Sequence, residues 1–389
     1  MPSMTRRRQV PGSSAGRPIR PDAAARRHRP TRWSRRAWMR VLARAVAPVL
    51  GFAVSSGVAA ESPALRVGMI GLDTSHAPAF TRILNDPAAP AGLAGCRVVV
   101  ATPQGNPDFP LSASRVDRFT AEVRKLGVEI VATVPEVLGK CDVVLLESVD
   151  GRTHLAHVLP VLRAGKPVFV DKPLAAGLVD GIAIVEAARS RDVPLFSTSA
   201  LRFTADVHAV RDEVDAGIGR VLRVEISGPC SHAPGHRDLF WYGIHGAEPL
   251  FTILGPDCQT VRRTQATAET DEVEGRWAGG RVGTFRGAVS GTGVFGGRVA
   301  GERGTRRIVD VAGYGPLLTE IVRFFRTGRP PVPPEETLAV LAFLEAAEES
   351  KRLGGAEVSM ADTLARAREA AAARLVELGE APTAVLPGP

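Results

Sequence analysis

The 389-residue chain contains little cysteine, and this shortage argues against a disulfide-stapled scaffold. Its four cysteines, Cys96, Cys141, Cys230 and Cys258, are too few and too widely spaced to staple a small fold. Cys96 and Cys141 lie beside apolar runs, which favours positions in a hydrophobic core. A single disulfide stays open, but the sequence does not select its two partners.

Most of the chain also lacks an excess of basic residues. The formal net charge is +8, yet residues 1–60 hold 13 arginines and a single acid, Asp22. The remaining residues hold 36 basic and 40 acidic side chains, a net charge of −4. This mildly acidic body has no pattern typical of nucleic-acid binding, so we expect no nucleic-acid partner. With 44% hydrophobic residues, the chain is long enough to bury the cores of two domains.

A hydrophobic run of full membrane-spanning length is missing near the N-terminus. The uncharged, largely apolar stretch 45–60 has sixteen residues, which is rather short for a transmembrane helix. It has no stop-transfer flank and ends in the small residues Val58, Ala59 and Ala60, as a cleavage site does. We therefore interpret residues 1–60 as a leader and expect no stable membrane span after its cleavage.

An arginine pair precedes this apolar stretch. Arg35 and Arg36 are followed by Trp38, a pattern typical of the twin-arginine export signal. Translation from Met39 would instead leave an ordinary secretory signal without the pair. Both starts predict a periplasmic or secreted protein, and the first makes the twin-arginine export machinery a partner. Residues 1–33 are rich in Arg, Pro and Ser and are predicted to be disordered.

From residue 65 onward, short β-branched runs alternate with amphipathic helical stretches. The predicted strands of this region cover 66–70, 96–101, 129–132, 142–147, 168–170 and 194–196. The predicted helices cover 77–85, 115–126, 135–140, 154–164, 179–191 and 205–216. This alternation is typical of a parallel sheet covered by helices.

Beyond residue 221 the pattern changes to Gly-rich β segments that continue to Val309, followed by helices over 315–326 and 334–351. We therefore predict an α/β protein with two folded domains. A Rossmann-like parallel sheet domain covers 64–198, and an α+β domain with an open, largely antiparallel sheet covers 199–358. An Ala-rich helix and a Pro/Gly tail cover 359–389.

One lysine stands at the end of a predicted strand, in a chain where only five of the 49 basic residues are lysine. The apolar run Val168–Val170 stops at Asp171, Lys172 and Pro173, and Pro173 helps to stop it because it has no N–H. Ligands of open α/β sheets bind at this end of the strands. We therefore predict that Lys172 borders a cleft; the alternative is a solvated lysine in a loop.

Four segments lie in an order shared with one enzyme family. They are Asp171-Lys172-Pro173, His154 with Ala164-Gly165-Lys166, Leu201-Arg202-Phe203 with 216–221, and Tyr242-Gly243-Ile244-His245-Gly246. Together they resemble the Gfo/Idh/MocA oxidoreductases, the family of glucose–fructose oxidoreductase and inositol dehydrogenase, over roughly residues 65–358. The resemblance implies a tightly bound NAD or NADP, a sugar, cyclitol or related polyol as substrate, and a possible homo-oligomer.

The same resemblance implies that Lys172 and His245 are catalytic. Oxidation of a hydroxyl needs a base for the O–H proton while hydride leaves the carbon, and histidine titrates in a suitable range. A nearby ammonium favours the developing alkoxide. For His245 the alternative is a core histidine on a buried helix. For His154 a packing or helix-capping role is the favoured interpretation.

The remaining predicted site residues lie at the strand ends of the first domain or in the loops of the second. Predicted cofactor contacts are Gly71, Asp73, Thr74, Ser75, His76, Asp150, His154, Asp171, Lys172 and Pro173. Predicted substrate contacts are Arg202, His232, His236, Asp238, Trp241 and Tyr242. Residues 230–236 also carry ligand-type side chains, but without a compact spacing, so we expect no metal site.

Three positions depart from the family pattern. The first strand leads into a turn that keeps only Gly71 of GxGxxG, and Asp73 places a carboxyl where an anionic pyrophosphate is expected. The second strand ends at Thr102, without the acid that holds the ribose of NAD. Trp241 stands four residues before His245, where the family often has an acid, and offers a stacking surface to a sugar.

These departures keep two other functions open. One is a redox-neutral glycosidase that uses NAD on the same fold. The other is a non-catalytic sugar-binding relative that has lost the cofactor, which Asp73 and Trp241 favour.

Overall fold

The computed structural model describes residues 64–212, 217–309 and 313–380. The predicted leader and the predicted Pro/Gly tail lie outside these residues. Among the described helices, none is both long enough and apolar enough to cross a bilayer. All four cysteines are buried and free, so none of them forms a disulfide in this structure.

The first sheet has six parallel strands in the order β3-β2-β1-β4-β5-β6. Its strands are β1 (Leu65–Ile70), β2 (Cys96–Thr102), β3 (Glu129–Ile130), β4 (Val143–Leu146), β5 (Val168–Val170) and β6 (Leu195–Phe196). The strand order reverses between β1 and β4, and a crevice for ligands forms at such a switch point. β4 and β5 are buried along their whole length, which explains their continuous apolar sequences.

Helices connect these strands. They are α1 (His76–Leu84), α2 (Pro110–Ala113), α3 (Val116–Lys125), α4 (Val134–Lys140), α5 (His154–Arg163) and α6 (Leu178–Arg189). Thr133 begins α4 with a capping box: its hydroxyl accepts the N–H of Glu136, whose carboxylate accepts the N–H of Thr133. The alternation predicted from the sequence is confirmed, and the short α2 is an addition to it.

The second sheet has seven strands in the order β12-β11-β7-β10-β9-β8-β13. Its strands are β7 (Val221–Pro229), β8 (Cys258–Ala266), β9 (Thr270–Trp277), β10 (Arg281–Ala288), β11 (Gly296–Gly301), β12 (Gly304–Ile308) and β13 (Val358–Ser359). The pair β7–β10 is parallel, and the other described pairs are antiparallel. The predicted α/β class with a second, largely antiparallel sheet is confirmed.

Two helices that the sequence pattern did not predict lie against this second sheet. They are α8 (Leu239–Tyr242) and α9 (Ile244–Leu254), and α9 packs on β7 and β10. The approach is close, because a Cβ built on Gly246 would meet the Phe285 ring at 2.0 Å. This contact sets the position of His245, the second residue of α9.

The remaining helices are α7 (Ala205–Arg211), α10 (Gly315–Thr327), α11 (Pro334–Arg352) and α12 (Met360–Glu377), with 3-10 turns at Ala200–Phe203 and Ala278–Gly280. α10 follows the second sheet in the chain, but its apolar side joins the core of the first. Leu318 and Ile321 share a cluster with Val67 and Met69 of β1. The predicted 199–358 domain therefore returns to the first one through α10.

Candidate active site

The turn after β1 places three predicted cofactor residues. Gly71 has φ +96°, and a Cβ there would lie 2.3 Å from the Ser148 backbone nitrogen, so this turn requires glycine. Thr74 is buried. Its hydroxyl oxygen accepts a hydrogen bond from the backbone N–H of His76, with 3.4 Å between oxygen and nitrogen. Ser75 stands at the N-cap of α1 without a capping hydrogen bond from its side chain. The first two N–H groups of α1 donate to the hydroxyl and carbonyl of Thr74, and Pro78 has none, so the start of α1 is not an open anion site in this structure.

Asp73 occupies the same turn and is fully buried. Its two oxygens accept the N–H of Val149 at 2.9 Å and the hydroxyl of Ser112, on α2, at 2.6 Å. Burial raises the pKa of Asp73, and these two hydrogen bonds oppose part of that rise. The segment after β2 thus folds onto the turn and holds the carboxyl that replaces the second glycine.

His76, Glu147 and Asp171 meet at the carboxyl edge of the first sheet. His76 Nδ1 lies 2.9 Å from Asp171 Oδ2 and 3.9 Å from Glu147 Oε2. Burial alone would raise the pKa of Asp171. The charge and hydrogen bond of His76, and then the charge of Lys172, outweigh burial and hold this pKa well below its usual range. Burial, together with the charge of Asp171, raises the pKa of Glu147 well above its ordinary value.

Glu147 was not predicted as a site residue. The signal that points to it is its position directly after β4, which matches the position of Asp171 directly after β5. The carboxyl ends of adjacent parallel strands share one edge of a sheet, so the two acids become neighbours.

Lys172 and His245 are brought together through Tyr242. The Lys172 ammonium lies 5.7 Å from the centre of the Tyr242 ring, and that ring centre lies 5.0 Å from the centre of His245. Burial, then the charges of Lys172 and His76, lower the pKa of His245 well below its ordinary value. His245 Nδ1 lies 2.7 Å from Ser199 Oγ. The imidazole is therefore neutral near pH 7 and fixed in orientation.

Asp150 and His236 link the two sheet domains at the same edge. Asp150 is fully buried, and it accepts hydrogen bonds from His236 at 2.9 Å, from Arg152 at 2.7 Å and from Asn106 at 2.7 Å. Burial alone would raise the pKa of Asp150, but these hydrogen bonds hold it far below its usual range. The Trp241 ring packs against His236, with centres 5.0 Å apart. The Asp150 carboxylate is thus held by three protein donors, and its contact with a cofactor stays a prediction.

His154 and Arg202 are also held by protein partners, and their contacts with cofactor and substrate stay predictions. His154 has no exposed surface, and its ring nitrogens lie 2.7 Å from the Ser148 carbonyl and 3.2 Å from the Leu174 carbonyl. It packs between two loops, through the carbonyl groups of Ser148 and Leu174. Arg202 is 5% exposed and pairs with Glu248 at 2.6 Å and Glu336 at 2.5 Å, so it joins helices.

The predicted substrate residues His232 and Asp238 lie in a second charged cluster. His232 Nε2 is 2.7 Å from Asp271, and its Nδ1 is 3.6 Å from Asp238. Arg263 pairs with both carboxylates, and Lys351 pairs with Asp238. That His232 and Asp238 contact a substrate stays a prediction.

The crevice between β1 and β4 has several features of a dinucleotide site. The strand order reverses at β1 and β4, and Gly71 makes the tight turn. At the end of β2, where a ribose is held in this type of fold, the buried Thr102 hydroxyl has no hydrogen-bond partner among the described residues. Asp73 is the one added carboxyl, and its burial favours the uncharged form. The residues fit a dinucleotide with an altered pyrophosphate turn.

Comparison with known proteins agrees with this geometry. Residues 65–199 match the model of the Gfo/Idh/MocA group, described as an oxidoreductase family with an NAD-binding Rossmann fold. Residues 65–199 are thus similar to the NAD-binding domain of the Gfo/Idh/MocA oxidoreductases. This match includes Asp171-Lys172-Pro173 and His154 and confirms the resemblance over that range.

Curated proteins similar to this chain include inositol dehydrogenases. Inositol 2-dehydrogenase 3 of Saccharopolyspora erythraea is 30% identical over 158 residues, which are 39% of this chain and 41% of that protein. The chain spans less than half the length of the curated relatives it matches.

Solved structures share the fold over both sheets. Myo-inositol dehydrogenase from Lactobacillus casei, in complex with NAD(H) and myo-inositol, is similar with a TM-score of 0.60 at 19% identity; 76% of this chain and 96% of that chain are covered. The apo scyllo-inositol dehydrogenase from the same organism gives 0.62 at 15% identity, with 77% and 99% covered. At these identities the likeness concerns the fold alone.

Proposed function

We propose that this protein is an NAD(P)-dependent oxidoreductase that acts on CH–OH groups of a sugar, cyclitol or related polyol. The observation that carries the proposal is the convergence of Lys172, Tyr242 and His245 at the ligand-binding edge of a Rossmann sheet. Its inositol dehydrogenase relatives support the substrate class.

Each residue of this group has a separate task. The bound cofactor supplies the hydride acceptor. In the tautomer whose Nδ1–H donates to Ser199 Oγ, Nε2 of His245 keeps its lone pair and accepts the hydroxyl proton. The low pKa of His245 keeps that lone pair available at neutral pH. The Lys172 ammonium stabilises the alkoxide that develops, and the Tyr242 ring borders the space between them.

The test is a comparison of three variants of the full chain. We expect Lys172→Met and His245→Asn each to lower kcat/KM for oxidation of a cyclitol by on the order of 100-fold, because each removes one function in proton or charge handling. Lys166→Met is the matched control, since that ammonium donates to the Cys141 carbonyl at 2.8 Å, in another part of the sheet.

The measurements are cofactor reduction by absorbance and nucleotide content by mass spectrometry of the purified protein. Absence of bound NAD(P), of NAD(P) binding by calorimetry and of turnover would contradict the proposal and favour a sugar-binding protein. Cleavage of aryl glycosides without net cofactor reduction would favour the redox-neutral glycosidase.

We also propose that residues 1–60 direct export through the twin-arginine route, so that the folded protein acts in the periplasm or outside the cell. The arginine pair Arg35-Arg36 and the apolar stretch 45–60 support this proposal. Replacing both arginines by lysine should retain the precursor in the cytoplasm, as measured by cell fractionation. Unchanged export would contradict the twin-arginine route.

A further inference from the structure

His76, Glu147 and Asp171 come from three separate segments and aim at one point. His76 begins α1, Glu147 directly follows β4, and Asp171 directly follows β5. One ligand-type atom from each side chain lies within 4.8 Å of the other two. Such a convergence of an imidazole and two carboxylates is the donor set of a divalent-cation site.

Glu147 is the independent observation that points to a ligand. Its side chain is fully buried, and neither carboxylate oxygen has a hydrogen-bond partner among the described residues. An ionised carboxylate removed from water is costly unless a cation or donors replace the lost hydration. The Lys172 ammonium supplies positive charge nearby but donates no hydrogen bond to these oxygens. Both oxygens are thus left for a cation.

The surroundings hold His76 in place for this role. Its ring stacks on Phe80 with centres 5.0 Å apart and meets the edge of Tyr314 at 4.8 Å. Asp171 Oδ1 accepts the Lys172 backbone N–H at 2.8 Å, and an ion bound by His76 Nδ1 and Asp171 Oδ2 would replace the proton that these two atoms share at 2.9 Å. The ligands therefore sit on rigid elements, as metal sites require.

We propose that His76, Glu147 and Asp171 bind one divalent transition-metal ion of the zinc and manganese class. A mixed imidazole and carboxylate donor set suits these ions, and three protein ligands leave a coordination position for water or a substrate oxygen. The side chain of His76 is 12% exposed, so solvent reaches one member of the group. This inference does not depend on the proposed dehydrogenase activity.

A second cluster in the same chain provides an internal contrast. His232, Asp238 and Asp271 also place three ligand-type atoms within reach of one another. There Arg263 pairs with both carboxylates, and Lys351 pairs with Asp238. Because these charges are already balanced, we expect no metal at this second cluster.

The test uses the untagged full chain, stripped with EDTA and then loaded separately with Zn²⁺ and Co²⁺. We expect one equivalent of metal per chain by elemental analysis, a visible Co²⁺ absorption band, and a rise of at least about 5 °C in the thermal unfolding midpoint with Zn²⁺. Glu147→Gln and Asp171→Asn should lose the bound metal and the rise. His232→Gln, in the second cluster, should keep both.

Several outcomes overturn the proposal. Wild-type protein that holds no more metal than Glu147→Gln, or that unfolds at the same temperature in Zn²⁺ and EDTA, would show that Glu147 is buried as a neutral acid. Loss of metal in His232→Gln alone would place the ion in the second cluster. If a variant fails to fold, the Co²⁺ spectrum and stoichiometry of the wild type decide the question. Nucleotide binding is measured separately, so failure of the metal site leaves the dehydrogenase proposal standing.

Discussion

At the scale of single residues, the carboxyl edge of the first sheet separates the charge states of neighbouring groups. The pKa of Asp171 is low and that of Glu147 is high, although both follow adjacent strands and both are buried. The difference comes from His76, which bonds to Asp171 at 2.9 Å and stays 3.9 Å from Glu147. Groups with divergent pKa values at one edge are typical of functional sites.

Asp73 gives a prediction at this scale. Replacing Asp73 by Asn removes the carboxyl charge beside the expected pyrophosphate and keeps an acceptor for the Val149 N–H. We expect Asp73→Asn to bind NAD on the order of tenfold more tightly at about pH 8. Because burial raises the pKa of Asp73, the wild type loses affinity as rising pH ionises this carboxyl, whereas the variant does not.

Calorimetric titration with NAD between about pH 5 and pH 8 measures this effect. Asp117→Asn, an exposed position on α3, is the control and should behave like the wild type. Equal affinities of Asp73→Asn and wild type at high pH would show that the carboxyl does not face the cofactor.

At the scale of secondary-structure elements, the helices with one apolar face were predicted and the helix buried on all sides was not. Nine of the eleven residues of α9 are buried, so it has no alternation of apolar and polar faces to read. The short α2 and α8 have four residues each, too few for any periodic signal. These unpredicted elements carry Ser112 and His245 to the site or fix their positions.

The contact between α9 and β10 gives a prediction for an element. Gly246→Val places side-chain atoms where the Phe285 ring lies, since a Cβ alone would come within 2.0 Å of it. We expect a loss of about 3 kcal/mol in the free energy of unfolding, from forced separation of helix and sheet. Urea denaturation followed by circular dichroism measures the loss.

The matched control for this prediction is Gly139→Ala. Gly139 lies in α4, and a Cβ there meets no atom within 4 Å. Its substitution should stabilise the protein by up to about 1 kcal/mol, because alanine favours a helix over glycine. A Gly246→Val variant as stable as the wild type would show that α9 can shift away from the sheet.

At the scale of the whole folded part, buried charges and α10 join the two sheets. Asp150 bonds to His236 across the domains, and α10 packs in the first core. The crevice is therefore bordered on both sides by groups whose partners belong to the other domain. Removal of one such pair should weaken the whole assembly.

Asp150→Asn tests this coupling through pH. The folded pKa of Asp150 lies well below its unfolded value, so its contribution to stability is present above about pH 4 and is lost as pH falls. We expect the variant to be less stable than the wild type by roughly 2 kcal/mol at pH 7, and this difference to shrink towards about pH 3. Denaturant titrations at each pH measure it, and a difference that is constant with pH would contradict the assignment.

Local patterns in the sequence determined much of this protein. Alternating β-branched and helical runs predicted the first sheet, and the residues at a strand end pointed to Lys172 and Asp171. Both signals depend only on residues that are consecutive in the chain. Only the tertiary structure decided that Glu147 lies near His76, that His236 forms a hydrogen bond with Asp150, and that α10 packs in the first core. His76 and Asp171 are 95 positions apart. Their contact depends on strand order and helix packing, which no local pattern encodes.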